Sequence, residues 1–406
     1  MRDRENKALL ALALQRVPFL RPKEKRILAD SLECLEELAS LTHSGLEKRI
    51  GRFLRTKNWR PGGLEEAAKS DALILERIGA SFIHCEDGRF PAALAEIPDA
   101  PFGIYVRGGA MPTDRPSVAV VGTRMPTGLG LAEAQRFSRD LAIEGLPVIS
   151  GLALGIDAAA HRGALDGARR RVASGNRSVD AASSDRGVPT CAVLACGVEA
   201  VYPASNRSLA AAILESGGLL ISEYPPGTEI ARFRFPERNR IIAGLSRAVV
   251  IVEAPENSGA LITAEFALEQ GRDVCVCAAR LGGPRSAGIE RLAQEGAREL
   301  GSARELLVEW GFAPSAQAPV EPGLLFSEVD NTAFLESTGE SLPEGRRLAA
   351  ALRGELSLVG ELGVARERSL PFGVSRRRRT VGHSSNPVSS ARLRPRRAPG
   401  GGSRNG

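Results

Sequence analysis

The sequence predicts an α/β fold, a parallel sheet with helices on both faces, preceded by a small all-helical unit. Between about residues 115 and 312, short apolar runs recur: SVAVVG (117–122), LPVIS (146–150), TCAVLAC (190–196), GLLIS (218–222), RAVVIVE (247–253) and DVCVCA (273–278). Helical stretches separate them, as expected where strands alternate with crossover helices. The runs are uninterrupted rather than alternating apolar with polar, which is the pattern of strands buried on both faces. The helical start rests on a third observation. Residues 1–75 are rich in Leu, Ala, Glu and Lys at helical spacing, as in Lys25 to Leu38, where Ile27, Leu28, Cys34, Leu35 and Leu38 are apolar.

The elements follow in order. Residues 76–114 read as a connector, because short extended pieces are broken by Pro91, Pro98 and Pro101. The α/β unit at 115–312 contains one interruption, residues 166–189, polar and rich in Gly, Ser and Arg, expected to be a flexible surface insertion. Residues 313–371 permit one or two helices without specifying a further fold. From 372 to 406 the chain has no hydrophobic periodicity and is expected to be a disordered, arginine-rich tail. A chain of 406 residues suits such a division into two or three units.

Composition narrows the chemistry. Lys and Arg number 54 against 48 Asp and Glu, a net charge of +6 that raises the question of an anionic partner. Only six of the 54 are Lys, none beyond Lys69. A Walker P-loop lysine or a Schiff-base lysine is therefore excluded from the last three-quarters of the chain. The tail holds nine Arg and no acidic residue, so residues 1–371 sum to −3. No stretch is apolar for the roughly 18–20 residues of a membrane span. The first twenty residues read as a helix rather than a signal peptide. The six cysteines lack zinc or disulfide spacing, and Cys191, Cys196, Cys275 and Cys277 sit within apolar runs as small hydrophobes. A reducing cytoplasm is the expected location, with no metal and no cofactor.

The candidate binding residues lie where strands run into helices. After the first run come Gly122, Thr123 and Arg124, then Gly128 and Gly130 before a helix, an arrangement that offers backbone N–H groups and a helix N-terminus to a phosphate. Its spacing departs from the dinucleotide fingerprint, and no acidic residue clearly closes a following strand to hold a ribose. The second run leads through Ser150 and Gly151 to Asp157 and His161, four apart on one helix face; with four His in the chain and no companion ligand, Asp157 reads as a helix-start carboxylate and His161 as a packed helix residue. The third run leads to Tyr202, Pro203, Asn206 and Arg207. The densest signal is RFRFPERNR, where Arg232, Arg234, Arg238 and Arg240 interleave with Phe233, Phe235 and Asn239 around a single acidic residue, Glu237. Guanidinium charge next to aromatic faces suits single-stranded nucleic acid. Ser258 and Gly259 then open another helix at the same edge of the sheet.

Carried by VAVVGTR, SGLALGIDAAAH, AVLACGVEAVYPASN, LISEYPPG, FPERNRIIAGLS, VIVEAPENSGALITA and GIERLAQEGA in this order, the chain resembles the DNA-processing protein A (DprA, or Smf) family over roughly residues 80–298. The resemblance implies an extended Rossmann-like parallel sheet with helices on both faces. It also implies binding of single-stranded DNA without catalysis, loading of the RecA recombinase during natural transformation, and a homodimer formed through the Rossmann-like domain. By the family's motifs, the DNA pocket maps onto Arg124, Gly151 and its neighbours, Asn206, Arg207 and the FPERNR segment. The chain departs from the family at the insertion, at CAARLGG and at Glu290. Residues 313–371 permit at most a degenerate remnant of the winged-helix domain that many relatives carry. The competing reading is an enzyme, a nucleotide N-glycosidic hydrolase of the lysine-decarboxylase-like group, faintly suggested by Gly259, Thr263 and Glu265. A nucleotide-sensing regulatory module is a third, weaker reading.

Overall fold

The computed structural model describes residues 2–55, 59, 61–109, 111, 115–173 and 188–312. The sequence assignments for 174–187, 313–371 and 372–406 lie outside the described residues.

Five helices open the chain: α1 (Arg2–Gln15), α2 (Pro22–Ser31), α3 (Leu35–Ser40), α4 (His43–Ile50) and α5 (Leu64–Arg77). Their ends carry local signals. Thr42 accepts a hydrogen bond from Gly45 N at the start of α4, and Gly51 closes it in the left-handed region at φ 73°. Leu10, Leu14, Leu28, Leu38 and Leu46 form the core of this region and share it with Phe102, Tyr105 and Val198. The helices are thus packed directly onto the sheet region.

Next come β1 (Ala80–His84), α6 (Ala92–Ala95) and β2 (Gly103–Gly108), then β3 (Val118–Val121), α7 (Gly128–Ile143), β4 (Val148–Ser150), α8 (Ile156–Ala173) and β5 (Thr190–Leu194). The chain continues with α9 (Arg207–Glu215), β6 (Leu219–Ser222), α10 (Arg234–Gly244), β7 (Ala248–Ile251), α11 (Gly259–Glu269), β8 (Asp273–Cys277), α12 (Ala287–Gln294), β9 (Arg298–Leu300) and α13 (Ala303–Glu309). The nine strands form one sheet in the order β1-β2-β6-β5-β4-β3-β7-β8-β9. The six apolar runs are β3 to β8, mutually parallel where they pair, and β9 pairs parallel to β8. The remaining two strands differ from the expectation. The segment 76–114, read as a connector, supplies β1 and β2, which pair antiparallel with each other, and β2 pairs antiparallel with β6. The three prolines fall between these strands, not within them, and four of the five residues of β1 are only half-buried, so it carries no apolar run. Residues 166–173, assigned to the insertion, continue α8; an Asp166–Arg170 ion pair spans this turn.

Every residue of β3 to β7 is buried, because helices cover both faces. Alternate residues serve opposite cores. Ala119, Val121, Val249 and Ile251 pack with α10 and α11 on one side, whereas Val118, Val120, Ala248 and Val250 pack with α7 and α8 on the other. On that second side α7 and α8 approach so closely that a Cβ on Gly163 would lie 2.2 Å from Gln135 O, and one on Gly167 would lie 2.3 Å from Arg139 O.

The same helix buries His161 completely. Thr190 Oγ1 gives its hydrogen to Val148 O (2.7 Å), so His161 Nδ1, 2.7 Å away, is the donor to Thr190 and Nε2 is left without a hydrogen-bond partner. Burial, reinforced by the nearby Arg238 and Arg162 charges, lowers the His161 pKa to about 3.

Two predictions follow from α8. Gly163→Ala should destabilise the protein by about 1–3 kcal/mol through overpacking in urea unfolding, while Gly128→Ala, where an added methyl meets nothing within 4 Å, should leave stability nearly unchanged. His161 stays neutral in the folded chain while the unfolded chain protonates it near 6.5, so stability is lost as pH falls below that value toward 3. Wild type should therefore lose roughly 2.5 kcal/mol more than His161→Asn between neutral pH and about pH 4.5. Equal slopes for the two proteins would show that His161 titrates normally.

Candidate functional site

The carboxyl ends of β3, β4, β5, β6 and β7 open on one edge of the sheet, where open α/β folds receive ligands. The turn after β3 carries Gly122 and Thr123, which are inward, and Arg124, which is exposed. Thr123 is buried, donates its N–H to Glu253 O (2.7 Å), and accepts from Met125 N at 3.3 Å. A Cβ on Gly122 would lie 2.6 Å from Ile156 Cγ1. These two residues shape the turn rather than face solvent.

At the start of α7, the expected phosphate cradle has a different occupant. The Glu253 carboxylate, 1% exposed, accepts from Thr127 N (2.9 Å), from Thr127 Oγ1 (2.5 Å) and from Arg280 Nε (2.8 Å). Thr127 also caps the helix by accepting from Gly130 N, and a Cβ on Gly130 would lie 2.4 Å from Glu253 Oε2. The glycine therefore admits the protein's own carboxylate. Sequence reading missed Glu253, Thr127 and Arg280; the available signal was an acidic residue closing the apolar run RAVVIVE.

After β4, the loop 151–155 is held from three sides. Asp157 accepts from Gly151 N (3.1 Å) and Ala153 N (3.4 Å), Asn206 Nδ2 donates to Leu152 O (2.9 Å), and Arg238 Nη1 donates to Gly151 O (2.6 Å) and also to Val193 O. Leu152 sits at φ 55°, the single non-glycine residue with positive φ among those described. Asp157, Asn206 and Arg238 are all buried. Desolvation raises the Asp157 pKa against the pull of Arg238, and desolvation lowers that of Arg238 against the pull of Asp157. Ser150 is also interior, donating to Val120 O (2.8 Å) and tying β4 to β3.

The exposed part of this edge is aromatic and cationic. A small, shallow cleft is lined by Gly151, Cys196, Tyr202, Ile230, Phe235 and Arg238. The Arg124 guanidinium lies 5.0 Å from the Phe235 ring centroid, and the Tyr202 ring lies 5.6 Å from that of Phe235. Beside them, Arg234 lies 5.2 Å from the exposed Phe233 ring and 5.3 Å from the Tyr224 ring. Arg207 is exposed at the start of α9, and Arg232 is exposed ahead of α10. Cation–π and stacking contacts of this kind leave ring faces next to positive charge.

Two members of the FPERNR segment turn elsewhere. Arg240 is buried with its Nη2 donating to both Glu223 carboxylate oxygens (2.7 Å each) and its Nε 3.2 Å from Asp99. Asn239 Nδ2 donates to Gly259 O (3.2 Å) and so joins α10 to the start of α11. Ser258 caps α11 by accepting from Ala260 N, and Gly259 is exposed. Thr263 is buried and Glu265, two residues on and so on the opposite side of α11, is exposed, so the pair suggested for a hydrolase does not converge on one cleft.

The loop after β6, which leads into Ile230 and Phe233, is anchored by the N-terminal helices. Gln15 Nε2 donates to Glu223 O (2.6 Å), and Arg16 donates to Pro226 O (2.9 Å) while pairing with buried Asp71 (2.5 Å). Among the described residues no group of His, Cys, Asp and Glu is placed to hold a metal ion, and no helix is long and apolar enough to cross a membrane. Burial raises the thiol pKa of Cys196 and Cys277 to about 11 and of Cys275 to about 12.

Residues 81–311 match the family described as DNA recombination-mediator protein A. The sequence is 36% identical over 285 residues to Protein Smf of Synechocystis sp., covering 69% of this chain and 64% of that protein. It is 38% identical over 226 residues to DNA processing protein DprA of Streptococcus pneumoniae, covering 56% of this chain and 73% of that protein. The X-ray structure of DprA from Streptococcus pneumoniae is similar with a TM-score of 0.56 at 31% identity, across 74% of this chain and 97% of that one.

Proposed function

Given that the chain belongs to the DNA recombination-mediator protein A family, we propose that it binds single-stranded DNA along the carboxyl edge of its sheet and presents it to a RecA-type recombinase. The observation that carries this reading is the Arg124–Phe235–Tyr202 cluster, in which exposed Arg124 and Tyr202 flank half-buried Phe235, beside the cleft lined by Arg238. A single strand offers two things together, phosphates and unpaired base faces. The edge answers both, with exposed Arg124, Arg207 and Arg232 for phosphate and Phe233, Phe235 and Tyr202 for stacking. A duplex hides its base faces and would leave the rings unused.

In this reading the candidate residues named from the sequence divide by role. Arg124, Arg207, Phe233 and Phe235 contact the strand, and Gly259 borders it. Gly122, Thr123, Ser150, Gly151, Asn206, Arg238, Asn239 and Ser258 hold the contact residues in place, and Arg240 secures α10 from behind through Glu223 and Asp99. Supply of the strand to RecA, a role in natural transformation, assembly as a homodimer through the Rossmann-like domain and residence in the cytoplasm complete the proposal; the family resemblance supports them. No catalytic step and no cofactor are part of it.

The test is fluorescence anisotropy with labelled oligo-dT and full-length protein. Affinity should exceed that for duplex of equal length and fall as salt rises, because neutralised phosphates release counterions. Phe235→Ala should cost about 1–3 kcal/mol of binding, and Arg124→Ala should weaken binding about tenfold and flatten the salt slope by roughly one counterion. Wild-type affinity in both variants at matched salt would remove this edge as the binding site.

A further inference from the structure

The loop that presents Arg124 is only three residues long between its anchors, and both anchors lead to one residue. At its near end Thr123 N donates to the backbone carbonyl of Glu253 (2.7 Å); at its far end Thr127 N and Oγ1 donate to the Glu253 side chain (2.9 and 2.5 Å). The carboxylate is 1% exposed, and Arg280, itself buried, pairs with it at 2.7 Å. In open α/β folds a glycine-rich turn before the first helix commonly directs such donors at a ligand phosphate. Here Glu253 supplies the negative charge from the end of the neighbouring strand β7, and Gly130 supplies the space, since any side chain there would collide with Oε2.

We propose that Glu253 is a positioning residue: a built-in anion that fills the phosphate position at the start of α7 and, by holding both ends of the 123–127 loop, fixes Arg124 for the strand. The crevice is thereby closed to a nucleotide phosphate, and the arginine loop is ordered before any ligand arrives. Preorganisation of this kind raises affinity because the loop does not have to be ordered on binding. Thr127 and Arg280 act with Glu253 as its donors. The part concerning Arg124 rests on the DNA-binding reading above; the built-in anion does not.

Chemical rescue tests the proposal in the full-length protein. Glu253→Ala removes the elements of acetate and leaves Thr127 and Arg280 facing a vacant anion position. The variant should melt several degrees below wild type and bind oligo-dT more weakly. Relative to sodium chloride at equal ionic strength, sodium acetate should restore both, since a ligand bound only by the folded state stabilises it, while wild type should respond alike to the two salts. Equal effects of acetate and chloride on the melting temperature of Glu253→Ala would overturn the built-in anion. Recovery of the melting temperature without recovery of oligo-dT binding would overturn the positioning of Arg124. Should Glu253→Ala not fold, Glu253→Gln keeps the shape and removes the charge; it should bind oligo-dT about tenfold more weakly, and wild-type affinity in that variant would overturn the proposal. If wild type itself fails to bind oligo-dT, the DNA reading falls, and the acetate response of the melting temperature still decides for or against the built-in anion.

Discussion

A parallel strand cannot return to its neighbour by a tight turn. Each of β3 to β7 must send the chain across a face of the sheet through a helix or a longer crossover before the next strand begins, so the segments leaving their carboxyl ends gather on one edge. Helices cover both faces and every residue of these strands is buried, leaving that edge as the place where sequence-distant residues meet. Arg124, Gly151, Tyr202 and Phe235 come from four different crossovers and converge there for this reason. The close approach of α7 and α8 at Gly163 and Gly167 belongs to the same constraint, since two helices must fit side by side over adjoining strands.

Converging loops have few backbone partners of their own, and this edge supplies them with buried charge. Arg238 takes up the carbonyls of Gly151 and Val193, Asp157 takes up the amides of Gly151 and Ala153, and Glu253 takes up both ends of the preceding loop. Burying a charge is costly unless hydrogen bonds and an opposite charge compensate it. Arg280 provides that for Glu253, and Asp157 and Arg238 each offset part of the other's desolvation through their mutual field. The result is a rigid base from which a small number of rings and guanidinium groups project. The N-terminal helices extend the scheme to the loop after β6 through Gln15 and Arg16.

The six central strands were legible because burial on both faces leaves an uninterrupted apolar run, and their order along the chain requires crossover helices. The antiparallel pair β1 and β2 was not, because β1 is mostly half-buried and carries no such run, and prolines between the strands resemble a connector. At the edge, motif position was legible but orientation was not. FPERNR places two arginines on α10 two residues apart, and nothing in the string tells that Arg238 turns under the cleft while Arg240 turns back to Glu223 and Asp99. Glu253 was hidden for a related reason. A carboxylate that ends a buried strand has no meaning until the sheet order brings β7 beside β3.

The outward cations of this edge, exposed Arg124, Arg207 and Arg232 and half-buried Arg234, are all guanidinium groups, and no lysine follows Lys69. A guanidinium keeps its proton across the whole range in which a protein stays folded, and it is out of reach of the acetyl transfer that silences lysine. The positive charge of these four groups is therefore set by sequence and screened only by salt. Control over it has to come from geometry, by moving the loops that carry the arginines, or from competition for the same surface, because neither acidity nor lysine acylation can switch the charge itself off.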